Sequence, residues 1–238
     1  MNIETDPLGA ACRDYLNGNK KAEIVVQSNI VEDDVLPVEY LFRSFNEMPD
    51  LEKKALTLSK GKILDVGAGA GSHALHLQQS NKVVYANEIS SSACAVMQQR
   101  GVKNILEYDF YELPENEKYD TILMLMNGIG IAQQTANLEK FFGKIKSLLN
   151  VGGSLLIDSS DIRYLFEDDD GSLLINLNDK YYGEISYRMN YKDIKGKSFK
   201  WLFIDDESLK FYANKNGFKV EKIADGMHYD YLAKLTLI

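Results

Sequence analysis

The sequence predicts an α/β fold, a parallel sheet with helices on both faces. Three observations carry that expectation. Strand-like and helix-like segments alternate from Lys62 to Ser159, the pattern that βαβ units leave in a chain. The densest apolar run, Ile122 to Met126, lies in a segment that reads as a strand covered on both faces. Glycines stand at the junctions: Gly67 after the first strand, Gly101 after a helix, and Gly152-Gly153 before the fifth strand.

Taken in order, the first 60 or so residues read as helical. Pro37 suits a first helical turn, and Val38, Leu41, Phe42 and Phe45 recur at helical spacing. Pro49 and Asp50 break that segment and open the next, whose face is Leu51, Ala55 and Leu58. Strands are then expected over 62–66, 82–87, 104–108, 120–126 and 154–159, with helices over 72–79, 91–100 and 137–149. After residue 160 the period becomes two. Ile185, Tyr187, Met189 and Tyr191 share one strand face, and Phe199, Trp201 and Phe203 share another. Gly196 and neighbouring lysines turn the chain between them, which predicts a hairpin over the sheet's carboxyl edge. A helix from Asp206 to Asn216 ends at Gly217, and strands from Phe218 and Tyr231 form an antiparallel pair.

Composition bounds the function. The chain has 238 residues, of which 45% are hydrophobic and 26% charged, enough for one large domain with its own core. Disorder, collagen and disulfide scaffolds are excluded. The net charge of −8 argues against a nucleic-acid partner. The basic cluster Lys192, Lys195, Lys197 and Lys200 and the acidic run Glu167 to Asp170 read as solvated turns. Cys12 and Cys94 have no metal or redox spacing. The acidic N-terminus is unlike a signal peptide, and the longest apolar run falls far short of the roughly 18 residues of a membrane span. A cytoplasmic protein without membrane contact is expected.

The chemistry lies in Ile63-Leu64-Asp65-Val66-Gly67-Ala68-Gly69-Ala70-Gly71-Ser72. A strand ends, the backbone turns on three glycines, and a helix begins. Glycines let a ligand approach the main chain, and the helix N-terminus suits a carboxylate or phosphate. A dinucleotide fingerprint would place its third glycine at position 72, which is serine. Asp65 would repel a pyrophosphate and welcome an ammonium group. Glu88 ends the second strand, 23 positions after Asp65, where an acid can accept both ribose hydroxyls. Asp109 follows the third strand and can accept from an adenine amine, with Phe110 against the ring.

On these residues the chain resembles the class I S-adenosylmethionine-dependent methyltransferases. Asp65 to Gly71 matches that family's first motif, and Glu88, Asp109-Phe110, Tyr119 to Ile122 and Gly152-Gly153 fall in family order. The resemblance implies a Rossmann-like seven-stranded sheet of order 3-2-1-4-5-7-6, with the last strand antiparallel, and S-adenosyl-L-methionine as cofactor. It implies that Asp65, Gly67, Ala68, Gly69 and Gly71 hold the methionine end. Glu88 would hold the ribose, Ile89 would pack on adenine, and Asp109 and Phe110 would hold and flank the base. Met126 and Asn127 would face the sulfonium and the acceptor. Residues 1–60 would form a helical lid, 61–238 the methyltransferase domain, and 165–204 a substrate-side β-hairpin insertion within it.

The expected reaction is methyl transfer to a small-molecule nucleophile, oxygen or nitrogen, with no catalytic residue nominated and a homodimer admitted. A non-catalytic cofactor sensor and a nicotinamide-dependent oxidoreductase are the alternatives. Gly128-Ile129-Gly130 after Asn127 lacks the Pro-Pro-aromatic sequence that accompanies adenine and glutamine-amide methylation in the family. No metal site is expected: His73 and His76 lack further ligands, and Asp158 and Asp161 read as solvated or capping acids. His228, before the last strand, is a candidate base or a turn residue. Tyr40 and Arg43 are candidates to close over the cofactor.

Overall fold

From the N-terminus the chain forms α1 (Pro7–Leu16), β1 (Glu23–Ser28), β2 (Asp34–Pro37) and α2 (Asp50–Leu58). The alternating region follows as β3 (Lys62–Val66), α3 (Ser72–Gln79), β4 (Val83–Glu88), α4 (Ser91–Arg100) and β5 (Ile105–Glu107). It continues with β6 (Tyr119–Met124), α5 (Leu138–Leu148) and β7 (Leu149–Ser160). The chain ends with β8 (Glu184–Tyr191), β9 (Ile194–Lys195), β10 (Phe199–Leu202), α6 (Asp206–Lys215), β11 (Phe218–Asp225) and β12 (Asp230–Leu237). This computed structural model describes residues 5–168, 172 and 180–238. Residues 169 and 170 of the acidic run, and 171 and 173–179 of the expected insertion, lie outside the described residues.

Seven strands form the main sheet in the order β5-β4-β3-β6-β7-β12-β11. Counted by the sheet's own strands this is 3-2-1-4-5-7-6, as the resemblance implies. Only β12 and its neighbours pair antiparallel within it. Successive side chains of a strand point to opposite faces, and both faces here are covered. Ile63 joins Leu77, Met97, Leu123 and Leu156 in one core. Leu64 joins Ile122, Phe141, Phe142, Leu155 and Phe218 in the other. The large side chains Phe141, Phe142 and Phe218 are fully buried, each contributing about 1.5–3 kcal/mol.

The N-terminal segment departs from its helical expectation. Residues 23–37 hold a hairpin, β1 on β2, and β1 also pairs with β8 from Val25↔Asn190 to Ser28↔Tyr187. With β10 and β9 on β8, these strands make a second, wholly antiparallel sheet of order β10-β8-β1-β2. The partner that makes β1 a central strand lies far along the chain, so no local signal announces it. Pro37 ends the edge strand β2, where a missing N–H is tolerated. The helical spacing beyond it produces only short 3-10 turns, Val38–Phe42 and Phe45–Glu47.

The second sheet is fixed to the loop that leaves β6. Glu184, at the start of β8, accepts from Gln134 Nε2 at 3.0 Å, the Thr135 N–H at 2.9 Å and the Thr135 hydroxyl at 2.7 Å. Trp201 of β10 covers Gly130 so closely that a Cβ there would fall 2.0 Å from the indole. Gly130→Ala is therefore expected to cost about 1–3 kcal/mol in urea unfolding, and less in a Trp201→Ala background. An equal cost in both backgrounds would contradict the contact.

Candidate active site

The turn after β3 is shaped by its glycines. Gly67, Gly69 and Gly71 have φ of 70°, 55° and 83°, a region side chains rarely adopt. A Cβ on Gly69 would meet nothing within 4 Å, and one on Gly67 only Ile131 at 3.9 Å. These two leave an open cradle. Gly71 serves packing, since a Cβ there would fall 2.8 Å from Met97 and 2.9 Å from Val102. The loop is anchored from β4: the Gly67 and Ala68 N–H groups both donate to the Asn87 carbonyl at 3.0 Å. Asn87 also donates its side-chain amide to the Leu106 and Tyr108 carbonyls at 3.1 and 2.9 Å. It thereby sets the spacing of the β4 and β5 ends, a role its sequence position did not disclose.

Asp65 lies at the end of β3 with 2% exposure. Burial pushes its pKa up to about 6, against the pull of His73 and the Ala74 N–H. One oxygen, Oδ1, is 3.9 Å from His73 Nδ1. The other, Oδ2, is buried with no hydrogen-bond partner among the described residues. An unpaired buried acceptor is costly, and it fits a ligand that brings a donor.

Glu88 is 6% exposed. Its Oε1 accepts from the Ile89 and Ser90 N–H groups at 2.8 and 2.9 Å, and its Oε2 accepts from Gly69 at 2.9 Å. Burial nevertheless raises its pKa. Asp6, the cap of α1, steadies this loop by accepting from the Ser90 hydroxyl at 2.5 Å and from the Gly9 N–H at 2.9 Å. Next in register past Glu88↔Glu107 stand Ile89 and Tyr108, both largely exposed apolar side chains. Asp109 caps the short turn that follows by accepting from Tyr111 N–H at 2.8 Å. Phe110 is 5% exposed and packs among Tyr111 and Phe141 in the core. Tyr108 offers an exposed aromatic face beside Ile89.

Beyond the cradle, the carboxyl ends of β6 and β7 open on a cleft of about 290 Å³. Met126 and Asn127 line it, both with positive φ (63° and 57°). Asp158 holds that strained turn, accepting from the Met126 N–H at 3.0 Å and the Gly128 N–H at 3.3 Å. Loss of solvent raises its pKa to about 7, against those N–H groups. Asn127 Oδ1 accepts from the Ser160 hydroxyl at 3.2 Å. Tyr40 and Glu52 close the cleft from the N-terminal segment, and His228 and Asp230 from the β11–β12 turn. The His228 N–H donates to Asp230 at 2.8 Å. Asp161 lies apart from Asp158, pairing with Arg163 at 2.8 Å and accepting from Tyr182 at 2.7 Å.

The fold and site together define a class. A cradle of bare backbone, a buried acid at the end of its leading strand and a second acid on the neighbouring strand converge at the carboxyl edge of this sheet, where such folds bind ligands. The cradle and the unpartnered Asp65 oxygen fit an S-adenosyl cofactor, whose methionine end carries an ammonium. Comparison agrees. The family described as "Methyltransferase domain" matches residues 63–153. A SAM-dependent methyltransferase from Bacteroides fragilis, solved with S-adenosyl-L-homocysteine, is 49% identical with a TM-score of 0.94, over 100% of this chain and 97% of that one. This chain belongs to the S-adenosylmethionine-dependent methyltransferases, and S-adenosylmethionine is its cofactor. The nicotinamide alternative falls with that assignment.

More distant likenesses show the fold alone. A sugar N-methyltransferase from Streptoalloteichus is 16% identical, with TM-score 0.55 over 83% of this chain and 87% of its own. A SAM-bound amino pentose methyltransferase from Micromonospora echinaspora is 15% identical, with TM-score 0.57 over 84% and 94%. No curated protein matches. Among the described residues no helix is long and apolar enough to cross a membrane.

Asp65→Asn keeps the shape and removes the charge offered to the ammonium. S-adenosylhomocysteine affinity is expected to fall about tenfold to a hundredfold, some 1.4–3 kcal/mol, while the protein stays folded by circular dichroism. Unchanged affinity would remove Asp65 from the site.

Proposed function

We propose that this enzyme methylates the nitrogen of a small-molecule amine. One observation carries the reading: the acceptor cleft holds the carboxyl groups of Asp158 and Asp230 beside a Glu52 already paired with Arg43, with no lysine or arginine among the described residues that line it. A cleft of that charge suits a cationic acceptor and repels an anionic one. Two proteins of the same fold are, by name, a sugar N-methyltransferase and an amino pentose methyltransferase, which agrees with an amine.

In this reading Asp65 holds the cofactor's ammonium, and Gly67, Ala68, Gly69 and Gly71 line its methionine end. Glu88 accepts from the ribose; Ile89 and Tyr108 flank the adenine, and Asp109 lies at its edge. The cofactor supplies a methyl group already activated on a sulfonium. Met126 and Asn127 set the position of the acceptor beside it. An amine reaches the cleft as an ammonium and must lose one proton to expose its lone pair. Asp158 is placed and poised to take that proton, since a base is most effective with its pKa near the working pH. It then returns the proton to solvent. Tyr40, Pro49, Leu51 and Glu52 bring the first 60 residues to this cleft as its lid, and no described residue of the 165–204 segment lines it. Two buried free thiols, Cys12 and Cys94, suit a reducing cytoplasm.

Asp158 must be ionised to act, so kcat/KM for an amine acceptor is expected to rise with pH through about 7. Asp158→Asn should abolish that limb and lower kcat by about 10²–10⁴, with S-adenosylhomocysteine affinity within about twofold of wild type. An unchanged pH limb in the variant would reassign the base. Turnover of hydroxyl acceptors but of no amine would overturn the reading.

A further inference from the structure

A string of buried charges leads from the N-terminal segment to the cofactor cradle. Arg43, 8% exposed, stacks on the Tyr40 ring at 3.5 Å and pairs with Glu52 Oε1. Glu52 of α2 is 3% exposed, and its Oε2 lies 2.7 Å from His73 Nε2. His73, in the first turn of α3, turns its other nitrogen toward Asp65 Oδ1 at 3.9 Å. Asp65 Oδ2, at the end of the string, has no partner among the described residues.

The charges can be counted. Arg43 and Glu52 cancel. Asp65 leaves one negative charge out of water, and a single proton on the Asp65–His73 pair cancels it. A methionine ammonium set against Asp65 Oδ2 brings the same positive charge. The methionine carboxylate brings the opposite charge, but the N-terminus of α3 suits it. At Asp65 itself, a pair that kept its proton would face the ammonium with no net negative charge, which is expensive in a poorly solvated place.

We propose that the Asp65–His73 pair carries one proton in the free enzyme and releases it to solvent when the cofactor's ammonium arrives, with Glu52 as the positioning residue that holds the His73 ring for this exchange. The ammonium keeps its three protons and no electrons move. The groups facing His73 are Glu52 from α2, Arg43 behind it, Asp65 from β3 and His76 on its own helix, whose ring stacks on Phe45 at 4.0 Å. Asp158 acts on the string from β7 through Glu52. Burial works against a charged His73 ring, but Glu52 and Asp65 outweigh it and hold its pKa above the ordinary value. The proton belongs to the pair and titrates with it. The exchange makes cofactor affinity rise with pH until the pair is already empty.

Calorimetric titration with S-adenosylhomocysteine at about pH 6.5, in phosphate and in imidazole, reads the protons exchanged from the difference in heats. The expected result is release approaching one proton per site. Affinity should fall about tenfold for each pH unit below the pair's pKa. 5′-Methylthioadenosine, which has no amino-acid end, should release none. Glu52→Gln should move the midpoint of release to lower pH, a shift that a purely structural role for Glu52 would not produce. Should that variant fail to fold, the wild-type comparison of the two ligands decides alone. Heats independent of buffer, or equal release with both ligands, would overturn the proposal. An unmoved midpoint in Glu52→Gln would overturn the part given to Glu52. The inference rests on the placement of Asp65 at the ammonium and not on the amine acceptor. Asp65→Asn binding as tightly as wild type would overturn that placement, whereas tight binding without proton release overturns this inference alone.

Discussion

A carboxyl group held out of water at the end of β3 is the constraint on which the site depends. Burial raises the Asp65 pKa to about 6, and a lone buried carboxylate would be too costly to keep. The fold meets that cost from three sides. The Ala74 N–H and the His73 ring face the group from α3, the helix that starts where the glycine turn ends. Glu52 and Arg43 extend the compensation outward into the N-terminal segment. The last oxygen has no partner among the described residues, which suits a ligand that brings a donor. The glycines follow from the same requirement, because a ligand that reaches Asp65 must pass over bare backbone at Gly67 and Gly69.

What surrounds the sheet turns a cofactor site into a methyltransferase with a defined acceptor side. The second sheet joins segments from both ends of the chain, β1 and β2 with β8 to β10, and its Trp201 presses on the loop that leaves β6. The same loop begins with Met126 and Asn127 in left-handed conformations. Such backbone persists only where neighbours over-determine it, and the Asp158 carboxylate is the group that does so. One side chain therefore fixes the floor of the cleft and, in the reaction proposed, serves as its base. Glu52 has a similar double place, lining the cleft while its two carboxylate oxygens pair with Arg43 and His73.

The sheet was legible in the sequence because its signals are local. A strand, a glycine turn and a helix announce themselves within ten residues, as at Ile63 to Ser72, and the strand order follows from the family that those residues resemble. The positions of Asp65, Glu88, Met126 and Asn127 were legible for the same reason, each standing at or just past the end of a recognisable strand. The hairpin of β1 and β2 was not, since β1 is made a central strand by β8 from the far side of the chain. Whether a residue after a strand end turns inward or outward is not written in the local sequence, and Phe110 turns inward against Phe141 while Tyr108 stays exposed. Asn87, Tyr108, Glu52 and Asp230 carry no pattern of their own. Their roles arise from what tertiary packing sets beside them.

The most direct test is a crystal structure with S-adenosylhomocysteine bound. The account predicts the amino-acid nitrogen within about 3 Å of Asp65 Oδ2, the ribose hydroxyls at Glu88, and the sulfur facing Met126 and Asn127 at the mouth of the acidic cleft. A ligand whose amino group lies elsewhere, with Asp65 Oδ2 still unpartnered, would contradict it.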